Sequence, residues 1–406
     1  MTATRTKRIL SVQPVAERGG SDRALARTVR SLTAAGWECH IALPEPSPMA
    51  EEFIAGGATL HVVPMRRITT SGSLQYWLGY LVAWPLAVTR LTRLVRRLDA
   101  SVVHSNSLHP WYGWAAADLT GRPHVWHARE IVVQSRAALA LERWLCAHFA
   151  ATVVAVSRAV ADQLRPGNVV VVYDQVDGAE FRPGRAGAFR ARIGLPDEAV
   201  VVGSAGRIDT WKGLDVLLDA VPELQRHRPD LEVAIAGAPV AGKEAFAERL
   251  SARARAMPGV HWVGARSDVA DLIADLDVLV MASTEPEPFG LAAVEALASG
   301  VPVVATAAGG PLEILGPEPA GSGRLVAPGD AAALASAVLS LLPAGASSTE
   351  HRRARPVLAT ATPRGDLAAV LEAVSRRPKQ RLDWRHLDWR RRRGTEPGAH
   401  RRSGSR

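Results

Sequence analysis

Cysteine is nearly absent from this 406-residue chain: there are two, Cys39 and Cys146, far apart and without metal-ligand spacing. That excludes a disulfide framework or a zinc module, and both are expected as reduced core thiols of a cytosolic protein. A long clean apolar run is also missing. The longest, Leu74 to Leu91, is interrupted by Pro85 and followed by Arg93, Arg96 and Arg97. It falls at the lower edge of the roughly 20 residues a membrane span requires. A helix packed on its own domain is expected there, with peripheral contact to a membrane surface as the alternative. Near the N-terminus, RILSVQPV runs into a charged, Gly-rich segment and reads as a strand, not a secretory signal. Neither GxxxxGK[ST] nor a GxGxxG after the first strand is present, which excludes a P-loop and argues against a Rossmann dehydrogenase. No His/Cys/Asp ligand cluster appears, so neither metal nor cofactor is expected.

Net charge is unevenly placed. The chain carries +9, and residues 376–406 hold twelve Lys/Arg against three acids, which is 12 − 3 = +9. The remainder is balanced, so no nucleic-acid partner is expected of the folded part. The tail itself reads as low-complexity, basic and disordered.

What is present alternates. Short β-branched runs (RILSVQPV, ECHIALP, TLHVVPM, SVVHSNS, PHVWHA, ATVVAVS) are separated by helical sequence. Residues 166–188 are rich in Gly and Pro and pause the pattern. It restarts with VVVGSAGR, LEVAIAG, VHWVGA, DVLVMAS and VPVVAT. Parallel sheets with crossover helices produce such alternation. The reading is two open α/β domains, residues 1–165 and 189–342, joined by a linker at 166–188. An irregular segment with one helix (343–375) and the tail (376–406) follow. Open sheets of this kind bind ligands beyond their strand C-terminal ends, here at a shared cleft.

Three segments carry candidate chemistry. In EPEPFGLAAVEALASGVPVVAT, Glu287 and Glu295 bracket Pro288, Phe289, Gly290 and Leu291. Proline beside an expected helix start leaves the amides of Phe289, Gly290 and Leu291 free for sugar hydroxyls or phosphate. The spacing is equally compatible with a solvated Glu295 and a capping Glu287. In GSAGRIDTWKGLDVLLDA, Arg207 and Lys212 flank a loop that opens a helix, an arrangement suited to a diphosphate or simply to two solvated cations. In ATAAGGPLEILG, Gly309 and Gly310 follow a strand; close backbone approach to a ligand or a plain turn explains them.

Taken in order, EPFGLAAVE, ALASGVPVVAT, GGPLEIL and RLVAPGD, with GRIDTWKG upstream and ERGGSDRAL near the start, resemble the retaining GT-B glycosyltransferases with an E-x7-E hallmark, glycosyltransferase family 4 or "group 1". The resemblance spans residues 9–330. It implies a GT-B fold: two Rossmann-like domains facing each other across a cleft, acceptor side first and nucleotide-sugar side second. It implies that Arg207 and Lys212 bind the donor diphosphate, that Glu295 holds the ribose hydroxyls, and that Glu287 contacts the transferred sugar. Phe289, Gly290 and Leu291 would supply amides, while Gly309 and Gly310 line the same donor site. Gly19 and Gly20 would admit the donor phosphates, and His127 in HVWHARE would reach over the donor sugar, although a lone strand-end histidine is more often structural. The expected activity is retaining transfer from a UDP- or GDP-sugar to a carbohydrate, lipid-linked or small-molecule acceptor, in a cytoplasmic protein with peripheral contact at the inner membrane face as an option. A nucleotide-sugar epimerase and a catalytically inactive binding homologue are the alternatives. The chain departs from the pattern at Asp174-Gln175-Val176-Asp177, where the family carries Asn-Gly, and again after Pro343.

Overall fold

The computed structural model describes residues 7–66, 74–133, 135–164, 167–185, 187–316, 323–345, 348–358 and 366–376. Two parallel sheets organise it. The first contains β1 (Lys7–Val12), β2 (Trp37–Leu43), β3 (Ala58–Val62), β4 (Val102–Ser105), β5 (His124–Ala128), β6 (Thr152–Ala155) and β7 (Val169–Val171), in the order β3-β2-β1-β4-β5-β6-β7. The second contains β8 (Val200–Ala205), β9 (Leu231–Ala236), β10 (Val260–Gly264), β11 (Val278–Met281), β12 (Val303–Thr306) and β13 (Gly323–Val326), in the order β10-β9-β8-β11-β12-β13.

The near-continuous Val/Ile/Leu runs of these strands follow from burial on both faces. In β1, Ile9 packs against the helix Gly20–Ala34, through Leu25 and Val29. Leu10 and Val12 point the other way, toward the helix Leu74–Leu98. In each sheet the strand order reverses once, between β1 and β4 and between β8 and β11. A crevice opens at such a reversal because the flanking crossovers leave in opposite directions.

Several expectations need correction. Residues 166–188 are not wholly linker: Val169–Val171 pairs with β6 and completes the first sheet, so that domain extends past residue 165. Three β-branched residues in a Gly/Pro-rich setting gave too little periodicity to read. RLVAPGD likewise contributes a strand, β13, paired with β12. Pro85 does not break its helix. Leu74–Leu98 runs unbroken, and the Thr89 hydroxyl donates to the Pro85 carbonyl at 2.7 Å. Among the described residues no helix is long and apolar enough to cross a membrane. Cys39 and Cys146 are buried and unpaired. Apart from Arg376, the basic tail lies outside the described residues.

After Pro343 the chain is more ordered than its texture suggests. The helix Thr349–Arg353 sits on the second domain, where buried Arg352 donates to the Asp197 carbonyl. Asp277 accepts from Arg190 and Arg355, and Asp275 accepts from the amides of Phe189 and Arg190. Asp277 therefore ties Arg355 of the C-terminal segment to the second domain, while Asp275 holds the start of the helix Ala188–Arg192. The helix Leu367–Ser375 then returns to the first domain, burying Leu371 and Val374 beside Ile9, Leu25 and Val29. Lys7 pairs with Glu372 at its surface. The chain thus crosses between the lobes twice.

Candidate active site between the two lobes

The second lobe supplies the cations. After β8, residues 206–213 form a tight loop. Asp209 accepts from the Thr210 amide at 2.7 Å and from Trp211 Nε1 at 3.0 Å, which fixes the short 3-10 turn Thr210–Lys212. The ammonium of Lys212 lies 4.1 Å from the Trp211 ring centroid, a cation–π contact. Gly213 closes the loop at φ 64°, and a Cβ there would stand 1.9 Å from the Ala282 carbonyl oxygen. Lys212 is thereby aimed at the end of β11, where its Nζ lies 2.9 and 2.7 Å from the two carboxylate oxygens of Glu287. Ser283 Oγ donates to the same carboxylate at 3.0 Å. Arg207, by contrast, is exposed and has no carboxylate partner among the described residues.

Beyond Glu287 the chain enters the helix Leu291–Ala298 through Gly290 at φ 104°. The amides of Phe289, Gly290 and Leu291 find no acceptor among the described residues. Gly309 and Gly310 lie directly behind this loop. Gly310 donates to the Glu287 carbonyl at 2.8 Å, and Cβ atoms on Gly309 and Gly310 would stand 2.1 Å from the Glu287 oxygen and 2.0 Å from the Phe289 oxygen. The close approach that these glycines permit is thus to the acidic loop itself. A direct ligand contact is not what requires them.

The first lobe presents a matching edge. Gly19 caps the helix Gly20–Ala34, and a Cβ on it would lie 3.9 Å from Arg207 Cδ; one on Gly20 would lie 4.0 Å from Leu291. From the same helix Arg27 donates to Glu295 at 2.7 Å, with Arg23 at 4.0 Å. Glu295 is fully buried, and its second oxygen has no hydrogen-bond partner among the described residues. Elsewhere across the cleft Glu313 accepts from the amides of Arg158 and Ala159, each at 3.0 Å, and from the Tyr173 hydroxyl. The linker tyrosine is pushed up to about 12 by burial and by that carboxylate.

His127 stands on β5 with its Nδ1 3.3 Å from His104 Nε2, and His104 reaches Ser11 at 3.1 Å. His127 Nε2 is buried without a hydrogen-bond partner among the described residues. All of its hydrogen-bond and ring contacts lie in the first lobe. Burial depresses both histidines, His104 to about 3, and does the same to His124. Asp22, accepting from Gln13 and the Gly19 amide, is instead raised to about 6 by burial.

These opposed shifts have a stability consequence. The unfolded histidines take up protons below their ordinary value near 6.5, while the three folded ones stay neutral, so stability falls as pH falls. Asp22 acts in the opposite sense, since its folded form binds a proton between about 3.8 and 6. The depressed histidines outnumber the raised Asp22, so the net direction is a loss of stability as pH falls through the ordinary histidine range. Urea melts at pH 7, 6 and 5 should show that decline below pH 6.

Arg23, Arg27, Glu313, Asn106 and Arg129 were invisible as site residues in the sequence. Arg27 is one of several arginines on an amphipathic helix, and its partner is 268 positions away. Arg129 donates to Asn106 at 2.8 Å and to Asp174 at 2.7 Å. Asp174 thus occupies the variant linker position as an ion-pair partner. The Gly-lacking turn there forms without any left-handed residue.

Residues 186–355 match the family model "Glycosyl transferases group 1", and residues 19–176 match "Glycosyl transferase 4-like domain". The chain is 33% identical over 274 residues to the D-inositol 3-phosphate glycosyltransferase of Streptomyces avermitilis, covering 59% of this chain and 54% of that protein. It is 32% identical over 294 residues to the protein of the same name from Corynebacterium kroppenstedtii, covering 63% and 64%. The matches span little more than half the length of the first of these relatives. Among solved structures, Anabaena HepE in complex with UDP-glucose superposes with a TM-score of 0.72 at 23% identity, over 91% of this chain and 98% of that one. Sucrose-phosphate synthase from Thermosynechococcus elongatus superposes at 0.67 and 22%, over 91% and 96%. At such identities the likeness establishes the two-lobed GT-B fold.

Proposed function

The chain belongs to the group 1 glycosyl transferases, and on that basis we propose that it moves a sugar from a nucleotide-diphosphate donor to an acceptor hydroxyl with retention of anomeric configuration. One observation carries the reading. Arg207 and the amides of residues 289–291, which have no carboxylate partner and no acceptor respectively among the described residues, converge with Lys212 at the strand reversal of the second lobe, facing the helix start at Gly19.

In this reading the donor diphosphate lies between Arg207 and Lys212. As the bond to the sugar breaks, negative charge grows on the leaving phosphate, and preorganised cations in a sheltered cleft stabilise it. A donor phosphate oxygen takes the acceptor proton on the same face. Glu287 is not a nucleophile here: Lys212 and Ser283 occupy its oxygens, which suits holding the cation and a sugar hydroxyl. The Glu295 oxygen that lacks a hydrogen bond among the described residues, 4.0 Å from Arg23, accepts from a ribose hydroxyl while Arg27 retains the other. His127, neutral, offers Nε2 to the sugar once the lobes are loaded. The chain's own cations take the neutralising role that a divalent metal plays elsewhere.

Purified protein incubated with a panel of UDP- and GDP-sugars should turn over at least one donor, by slow hydrolysis or by transfer to D-inositol 3-phosphate and simple glycosides. Proton NMR should show the first-formed product in the donor's anomeric configuration. An inverted product, or C2-epimerised donor without bond transfer, contradicts the proposal.

A further inference from the structure

The helix Leu74–Leu98 carries a stripe that the fold does not use. Tyr80, Ala87, Val88, Leu91 and Val95 face the core. On the opposite side Leu78, Leu81, Val82 and Leu86 are 55%, 66%, 67% and 54% exposed, at helical spacing. Nothing among the described residues covers them. Further along the same outer side come Arg90, Arg93, Arg96 and Arg97, all exposed, and the helix contains no acid. Exposed apolar side chains in a row are costly in water and mark an interaction surface. An apolar half followed by a basic half fits lipid chains and anionic headgroups together, and fits an aqueous protein surface poorly.

A groove of about 790 Å³ runs beside the stripe, lined by Arg66, Tyr76, Gly79, Val82, Ala83 and Leu86. It shares Arg66 and Ala83 with a second cavity of about 400 Å³ at the C-terminal ends of β1, β2 and β3, reached by Ala241 of the second lobe. Arg66 has no carboxylate partner among the described residues and leans on the Tyr76 ring, 5.6 Å from its centroid.

We propose that this helix face docks the protein on an anionic bilayer, with the mouth of the first-lobe cavity at the headgroups. The docking stands on the stripe alone. Its consequence, that the acceptor is borne by the membrane and enters past Arg66, rests on the transferase reading.

Co-sedimentation of the full chain with phosphatidylglycerol-containing vesicles tests the docking apart from any activity. The basic tail is present in every protein compared, so its own attraction to the vesicles cancels. Leu81→Asp/Val82→Asp should lower vesicle affinity roughly tenfold or more, because the charges oppose insertion. Arg90→Glu/Arg93→Glu should lower it on anionic vesicles as well, and both variants should keep the wild-type melting temperature and nucleotide binding. Unchanged vesicle binding in Leu81→Asp/Val82→Asp overturns the proposal and assigns any binding to the tail. A wild-type dimer in sedimentation velocity that the same variant converts to monomer also overturns it, by making the stripe a contact between copies. Loss of vesicle binding with transfer to a soluble acceptor intact supports docking and leaves the transferase reading standing.

Discussion

Replacing Arg207 or Lys212 by methionine is expected to lower kcat/KM for sugar transfer roughly 10- to 100-fold each, because a charge-assisted hydrogen bond is worth about 1.5–3 kcal/mol. The double variant should lose on the order of 10³-fold or more, since both cations face the same developing charge. The two single variants should differ in stability. Arg207 is exposed and has no carboxylate partner among the described residues, so Arg207→Met should melt with the wild type. Lys212 holds both oxygens of Glu287, a residue only 8% exposed. Removing the ammonium strands a largely buried carboxylate with Ser283 alone, so Lys212→Met should also melt several degrees lower. Steady-state kinetics with thermal melts separates the two effects. Wild-type kcat/KM in Arg207→Met would place the diphosphate elsewhere.

The second large effect is expected from a single methyl group. Gly309→Ala forces a side chain into a left-handed φ of 75° and puts its Cβ 2.1 Å from the Glu287 carbonyl oxygen. The first costs about 1–2 kcal/mol for an L-residue. The clash displaces the acidic loop, because the isolated bridge between Glu287 and Gly309 leaves no slack. Glu287 then loses its register with Lys212, and the amides of residues 289–291 turn away. Transfer should fall at least ~100-fold, since positioning errors near 1 Å at a reacting centre carry that penalty. The sheets should persist by circular dichroism, because β12 ends at Thr306, before the substitution. If Gly309→Ala lowers the melting temperature yet transfers at the wild-type rate, the loop does not position the reacting groups.

Legibility followed the range of the interactions. Alternating β-branched runs revealed eleven of the strands, because each is a local signal. The two missed, Val169–Val171 and Gly323–Val326, are three and four residues long and are held by neighbours already in the sheet. Arg207, Lys212 and Glu287 were nameable because they sit on recognisable loops at strand ends, and Glu295 because it follows Glu287 by eight positions, on the next helix. Their pairings were not: Lys212 with Glu287 spans 75 positions and Arg27 with Glu295 spans 268. At Gly309 and Gly310 the sequence leaves ligand approach and a plain turn equally open, whereas the approach that excludes a Cβ is to the Glu287–Phe289 backbone. Composition after Pro343 suggested irregularity. It concealed the return of Leu371 and Val374 to the first lobe, since two apolar residues on a short helix carry no direction.

The central claim is that the cleft recognises a pyrophosphate through Arg207, Lys212 and the residue 289–291 amides. Titration calorimetry with the nucleoside diphosphate and monophosphate of the preferred donor tests it without an acceptor. The account predicts that the diphosphate binds the wild type at least ~10-fold tighter than the monophosphate, and that this margin collapses in Arg207→Met/Lys212→Met. An equal margin in the double variant would contradict it.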